Sequence, residues 1–150
     1  MIDSSQSKNN IPKYLQTLFD ARHNAGVKVA MFVEKETVDR VIKQDKSWTP
    51  LADETKRRKK STKAWIDTGS LYNEISYKVA SDNQTTNTEV GIWDSDNGYI
   101  ARCLEYGTKK GGITAIPARP LFRPVYDENL DKTVRIFASE MAKHLKKYQF

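Results

Sequence analysis

Two histidines, one cysteine and a pair of aspartates are the side chains of this chain best suited to catalysis or metal binding. His23 and His144 fall in separate helical stretches, each among ordinary surface residues. No His-Glu-x-x-His, nucleophile elbow or phosphate-loop pattern accompanies them. Cys103 has no histidine or second cysteine at metal-ligand spacing, so its residue type suits a small core side chain better than a nucleophile. A lone cysteine cannot close an internal disulfide, which points to a reducing compartment or to an assembly that does not rely on oxidation. Asp94 and Asp96 flank a serine ahead of Asn97-Gly98. A cation site can be drawn there, but Asp, Asn and Gly are the ordinary residues of turns, and a turn is the expectation. The sequence therefore supports no enzymatic activity and implies no cofactor and no metal.

The strongest electrostatic feature is the run Lys56, Arg57, Arg58, Lys59, Lys60 and Lys63. Such a cluster neutralises nucleic-acid phosphates without reading sequence. No aromatic-interleaved pattern or base-reading motif goes with it, so a passive contact with DNA or with an acidic protein surface is the expectation. Five consecutive cations cannot be buried without counter-charges, which places the run on the surface. Charge is also sorted along the chain. Residues 1–55 balance, residues 56–63 hold six basic and no acidic side chains, residues 64–108 hold two against seven, and residues 109–150 hold nine against four. Opposite blocks on one small domain attract within a subunit or between subunits of a ring.

These groups need a scaffold, and the pattern predicts an α+β one. Apolar residues make up 38% and charged residues 29% of the 150, enough for one modest core. No apolar run approaches the ~18 residues of a membrane span, and the polar N-terminus lacks a signal-peptide core. Residues 1–11 are expected to form a flexible arm and residues 12–150 a single domain. A helix is predicted over 12–42, with a break at Asn24-Ala25-Gly26 and an apolar arc of Ala30, Val33, Val38 and Val41. Thr49 as N-cap, Pro50 in the first turn and Asp53-Glu54 at the positive pole announce a second, shorter helix. Part of the basic run then lies at its negative end.

Residues 71–79 alternate as a strand, and residues 89–93 return as its hairpin partner, with Gly91 marking a bulge or a close approach. Residues 99–106 are short and helical or mixed, and 109–114 form a glycine-containing flexible loop. Residues 116–120 are extended because two prolines disfavour helix before them. Leu130, Val134, Phe137, Met141, Leu145 and Tyr148 form one apolar seam on a long C-terminal helix, the expected cover for the hairpin.

Several short segments occur in a specific order. They are Trp48-Thr49-Pro50-Leu51, Thr68-Gly69-Ser70-Leu71, Val90-Gly91, Tyr99-Ile100-Ala101, Glu105-Tyr106-Gly107-Thr108 and Pro117-Ala118-Arg119-Pro120-Leu121-Phe122. This succession resembles the tail-component and virion-morphogenesis proteins of tailed bacteriophages, over residues 47–127. Trp65-Ile66 and Leu121-Phe122 depart from that pattern by apolar swaps. The resemblance implies a structural virion protein that forms a ring, six-fold rather than twelve-fold, at the head–tail junction, assembled in the host cytoplasm. It implies a head connector, adaptor or stopper protein, the tail tube protein and genomic DNA in the lumen as partners, and no membrane. Glu105, Tyr106, Arg119, Phe122 and Arg123 become candidate subunit-interface residues. Arg119 is expected to make charge-assisted bonds to a carboxylate, Glu105 being the candidate, or to a backbone carbonyl, in its own subunit or the next. The six cations of 56–63 become candidates for the lumen. The alternative is a small, basic, non-specific nucleic-acid-binding protein.

Overall fold

The computed structural model describes residues 4–146. Its order is α1 (Ser4–Lys43), α2 (Asp53–Arg58), α3 (Ser70–Asn73), β1 (Ser76–Ser81), β2 (Thr86–Gly91), α4 (Ser95–Tyr106), β3 (Thr108–Lys110), β4 (Ile113–Ile116) and α5 (Phe122–Lys146). The strands form two separate two-stranded sheets, β1-β2 and β3-β4. The class is α+β, as the periodicities predict. Contacts sort the described chain into two compact units, one of residues 4–32, 78–89 and 131–146, the other of 33–77 and 90–130.

In the first unit, α1 runs through Asn24-Ala25-Gly26 without the expected break. The reason is close packing on the hairpin. Ala21, Ala25 and Ala30 are fully buried, and a Cβ placed on Gly26 would stand 2.6 Å from the Thr86 methyl and 3.5 Å from Val79. Small side chains let the helix approach the strands, and that contact outweighs the weak helix propensity of Asn and Gly. Arg22 Nε donates to Thr86 Oγ1 at 3.1 Å, and a terminal nitrogen of Arg22 reaches the Asp82 carbonyl. Helix α1 also begins at Ser4 and contains Pro12, so it covers residues 4–11, which were expected in the arm. Residues 1–3 of that segment lie outside the described residues, as does Tyr148 of the C-terminal seam.

The second unit holds a core of Val41, Trp48, Ala64, Trp65, Ile75, Ala101, Leu121 and Val125. Trp65 is its centre. Its ring lies 6.4 Å from that of Trp48 and edge-on to Phe122 at 6.0 Å, arrangements aromatic pairs favour. Gln44 ends α1 at φ 59°, the left-handed cap position. Its Oε1 accepts from Ala64 N at 2.7 Å and its Nε2 donates to Ala64 O at 3.1 Å. That fixes the backbone just ahead of Trp65, which itself sits at φ 62°.

Several expected boundaries move. The strand predicted over 71–79 starts only at Ser76, because α3 intervenes after Gly69, held at φ 98°. Leu71 and Ile75 are four apart, so the same residues fit a helical turn, and Ile75 enters the core. Residues 109–114 are a tight hairpin rather than a flexible loop, with Lys110 opposite Ile113 and Gly111-Gly112 at positive φ in the turn. Asp94 is an N-cap and not part of a hairpin turn. Its carboxylate accepts from Asp96 N and Asn97 N and starts α4.

The seam of α5 is displaced as well. Val134 is 60% and Leu130 45% exposed, while Val125, Asn129 and Thr133 are buried. Polar residues can occupy that inward line because a helix offers them its own carbonyls. Asn129 Nδ2 donates to Val125 O at 2.9 Å, as Thr37 Oγ1 does to Val33 O on α1.

Candidate functional site

Pro117 and Pro120 hold the chain ahead of α5 extended, so its backbone groups point outward and seek partners elsewhere. The second unit supplies several of them. Arg119 N donates to Leu104 O at 2.7 Å, Trp65 Nε1 to Arg119 O at 3.0 Å and Trp48 Nε1 to Pro120 O at 2.8 Å. Glu105, from α4, closes the other side. Its carboxylate accepts from the backbone N–H of Leu121 at 2.6 Å and from those of Phe122 and Arg123 at 3.2 Å each. These are N–H groups that a helix start leaves unsatisfied, so a distant glutamate caps α5 where no local cap residue stands. Gly107 makes room for this. At φ 72°, a Cβ there would meet Ile116 O at 2.8 Å and Ala118 N at 2.9 Å.

Glu105 and Arg119 thus share one knot, yet they do not pair. The Arg119 guanidinium donates to three backbone carbonyls, Nε to Thr49 at 2.7 Å and the terminal nitrogens to Pro50 at 3.2 Å and Pro117 at 3.4 Å. Of the two kinds of partner expected for Arg119, the backbone carbonyl is the one found, and the carboxylate candidate Glu105 is engaged instead with backbone N–H groups. Both side chains are buried within the subunit, and burial alone lowers the Arg119 pKa. The same arrangement corrects the expected cap at Thr49. Helix α2 begins at Asp53, behind Ala52, with no side-chain cap, and the carbonyls of Thr49 and Pro50 serve Arg119 instead.

The other interface candidates differ among themselves. Tyr106 is 75% exposed. Arg123 is exposed and pairs with Asp127 one turn on, at 3.5 Å. Phe122 is half-buried on Trp65.

The six cations do not act as one patch. Lys56 bonds Asp53 at 3.1 Å. Lys63 Nζ donates to Ile42 O at 3.1 Å, covering an open carbonyl at the end of α1. Lys59 is half-buried and donates to Lys63 O at 3.0 Å. Burial pushes its ammonium below the ordinary lysine range, Asp67 opposes that shift, and Arg119 adds to it. Arg57, Arg58 and Lys60 are exposed.

Between these features opens a cleft of about 700 Å³. Leu51, Trp65, Ile66, Leu71, Ile116 and Pro117 form apolar walls, and Arg58, Lys59, Arg119 and Asp67 supply charge. Its size and lining fall within the range of ligand sites. The chain's pattern gave Trp48, Pro50 and Arg119 but not Trp65, Gln44 or the cleft. The one signal at Trp65 is its large apolar side chain, which suits a core, and its left-handed backbone has no sequence signal.

Among the described residues, no group of three or more His, Cys, Asp and Glu is placed to hold a metal, and no helix is long and apolar enough to cross a membrane. Comparisons of the chain with protein-family models, curated proteins and solved structures found no match.

Proposed function

We propose that this chain is a ring-forming structural protein of the head–tail junction of a tailed bacteriophage, without catalytic activity. One observation carries the reading. Three of the six short segments whose order resembles the tail-component proteins, those at residues 48–51, 105–108 and 117–122, meet in one knot that joins Trp48, Pro50, Glu105, Gly107 and Arg119 with Leu104. Those three segments, each a weak signal alone, therefore belong to a single structural device.

A ring subunit also needs apolar surface that its neighbours cover. Tyr99, Tyr106 and Ile113 of the second unit are each more than 70% exposed, and Tyr99 and Tyr106 line one surface hollow, the kind of adjoining apolar exposure that marks interaction surfaces. Tyr106 and Arg123 stay as interface residues in this reading, Tyr99 and Ile113 join them, and Glu105 and Arg119 act from inside the subunit. Exposed Arg57, Arg58 and Lys60 would face the DNA of the lumen or an acidic neighbour. The head connector or stopper and the tail tube are the proposed partners, and the virion neck the proposed location.

Native mass measurement with negative-stain electron microscopy tests this. A discrete ring, six-fold, is expected. A monomer at all concentrations that shifts only on adding DNA would favour the nucleic-acid-binding alternative.

A further inference from the structure

The second unit buries a cation that nothing in the unit neutralises. Arg119 is 3% exposed and, among the described residues, forms no ion pair with a carboxylate. Its three hydrogen bonds go to carbonyls, which leaves two of the five guanidinium N–H groups available. Lys59 and Arg58 line the same cleft, against one carboxylate, Asp67, which already accepts the Lys60 N–H at 2.9 Å. The cleft therefore carries net positive charge inside apolar walls, where a charge interacts far more strongly than on an open surface.

We infer that this cleft docks an acidic peptide segment of a partner protein, with one apolar side chain against Trp65 and Leu71 and the adjacent carboxylate drawn to Arg119 and Lys59. A nucleic-acid strand suits it less. Phosphates need a track of exposed cations, whereas Arg119 lies at the base of an apolar recess. The inference stands apart from the ring reading, since a monomer would keep the cleft.

The three tryptophans, Trp48, Trp65 and Trp93, give three indole N–H signals by ¹⁵N NMR, and Trp65 lines the cleft while Trp93 does not. The probes are acetyl-Leu-Glu-amide, acetyl-Leu-Gln-amide, acetyl-Gly-Glu-amide and a short oligothymidylate. Acetyl-Leu-Glu-amide should move the Trp65 signal and leave Trp93 in place, binding roughly tenfold more tightly than either of the other peptides. Varying the ligand leaves the fold untouched, which matters because Arg119 variants also lose structural bonds. Lys59→Gln should weaken the Glu peptide several-fold and leave the Gln peptide unchanged. Equal titration by Glu and Gln peptides, or no Trp65 shift up to roughly ten millimolar, would overturn the site. So would displacement of the peptide by oligothymidylate.

Discussion

Glu105 shows how one side chain can decide where an element starts. Three N–H groups converge on its buried carboxylate at 2.6 to 3.2 Å, and nothing else among the described residues replaces it at that end of α5. Glu105→Ala would leave one buried donor, the Leu121 N–H, and two part-buried ones without their acceptor. Each buried unmade bond costs ~1–3 kcal/mol, so a loss of roughly 3–5 kcal/mol is expected in urea unfolding, against little change for the exposed Glu89→Ala. A loss below about 1 kcal/mol would mean that water reaches the helix start. A second residue-scale device titrates. Arg40 grips Glu128 with two bonds of 2.8 and 3.0 Å and also bonds Asp45. The Arg40 bond lowers the Glu128 pKa, and the Ser47 hydroxyl and N–H, followed by Arg40, lower that of Asp45. A carboxylate depressed in the folded state stabilises above its unfolded pKa and loses that contribution as pH falls through the folded one. The stability gap between wild type and Glu128→Gln should thus be full at neutral pH and shrink below about pH 4. Because Glu128 is exposed, the gap should be small and reduced by salt. A gap that stays constant across this range would remove the clamp from the pH response.

At the scale of elements, Gly26 is the most exposed to a decisive test. An alanine there gains up to about 1 kcal/mol in helix propensity, but its methyl would lie 2.6 Å from Thr86 Cγ2. The clash should win, with a net cost of roughly 1–3 kcal/mol. Thr86→Ser removes that methyl and keeps the hydroxyl that Arg22 and Ser81 bond. In the Thr86→Ser background, Gly26→Ala should become neutral or stabilising, and a double-mutant cycle without coupling would refute the contact. The same position explains what the chain's pattern can and cannot convey. Asn24-Ala25-Gly26 looks like a helix break from propensity, and only a neighbour 60 residues away makes it a packing site. The long helices, the first hairpin and the extended 116–120 segment were legible because periodicity and proline are local signals, whereas the hairpin of β3 and β4 read only as a glycine-containing loop. The inward line of α5 was not. Leu130 and Val134 are the apolar residues, yet Asn129 and Thr133 are buried, since the direction is set at Leu121 and Val125 by the core they enter. Leu71 and Ile75 satisfy both a strand and a turn, and the left-handed Gly69 ahead of them decides between the two. Arg119 was marked out by its two prolines, but two of its three carbonyl partners, Thr49 and Pro50, lie 70 and 69 residues upstream and carry no side-chain signature.

At the scale of the molecule, the sorted charge is the property most open to a partner. The cluster at 56–63 divides by role: Lys63 caps α1, Lys59 bonds the Lys63 carbonyl and faces the cleft, and Lys56 holds Asp53. What remains for phosphates is Arg57 and Lys60 on the exposed side, with Arg58 exposed at the edge of the cleft. Surface cations of this kind contribute to counterion release, about 0.9 units of salt slope per neutralised phosphate on duplex DNA, and little to folding. The paired variant Arg57→Gln/Lys60→Gln should therefore unfold within about 0.5 kcal/mol of wild type. Its affinity for duplex DNA should fall equally for unrelated sequences, with a slope of log affinity against log salt shallower by roughly one to two. Lys63→Gln should behave in the opposite way, losing ~0.3–1 kcal/mol of stability at the end of α1 with the salt slope unchanged. If the paired variant keeps the wild-type slope, the run does not touch phosphates, and an acidic protein surface becomes its partner. Measuring both variants as assembled rings and as dilute subunits adds the last discrimination. A lumen-facing run should show its salt dependence only in the ring, where copies of Arg57 and Lys60 are brought around one duplex, whereas a free nucleic-acid-binding protein should show it undiminished as a monomer.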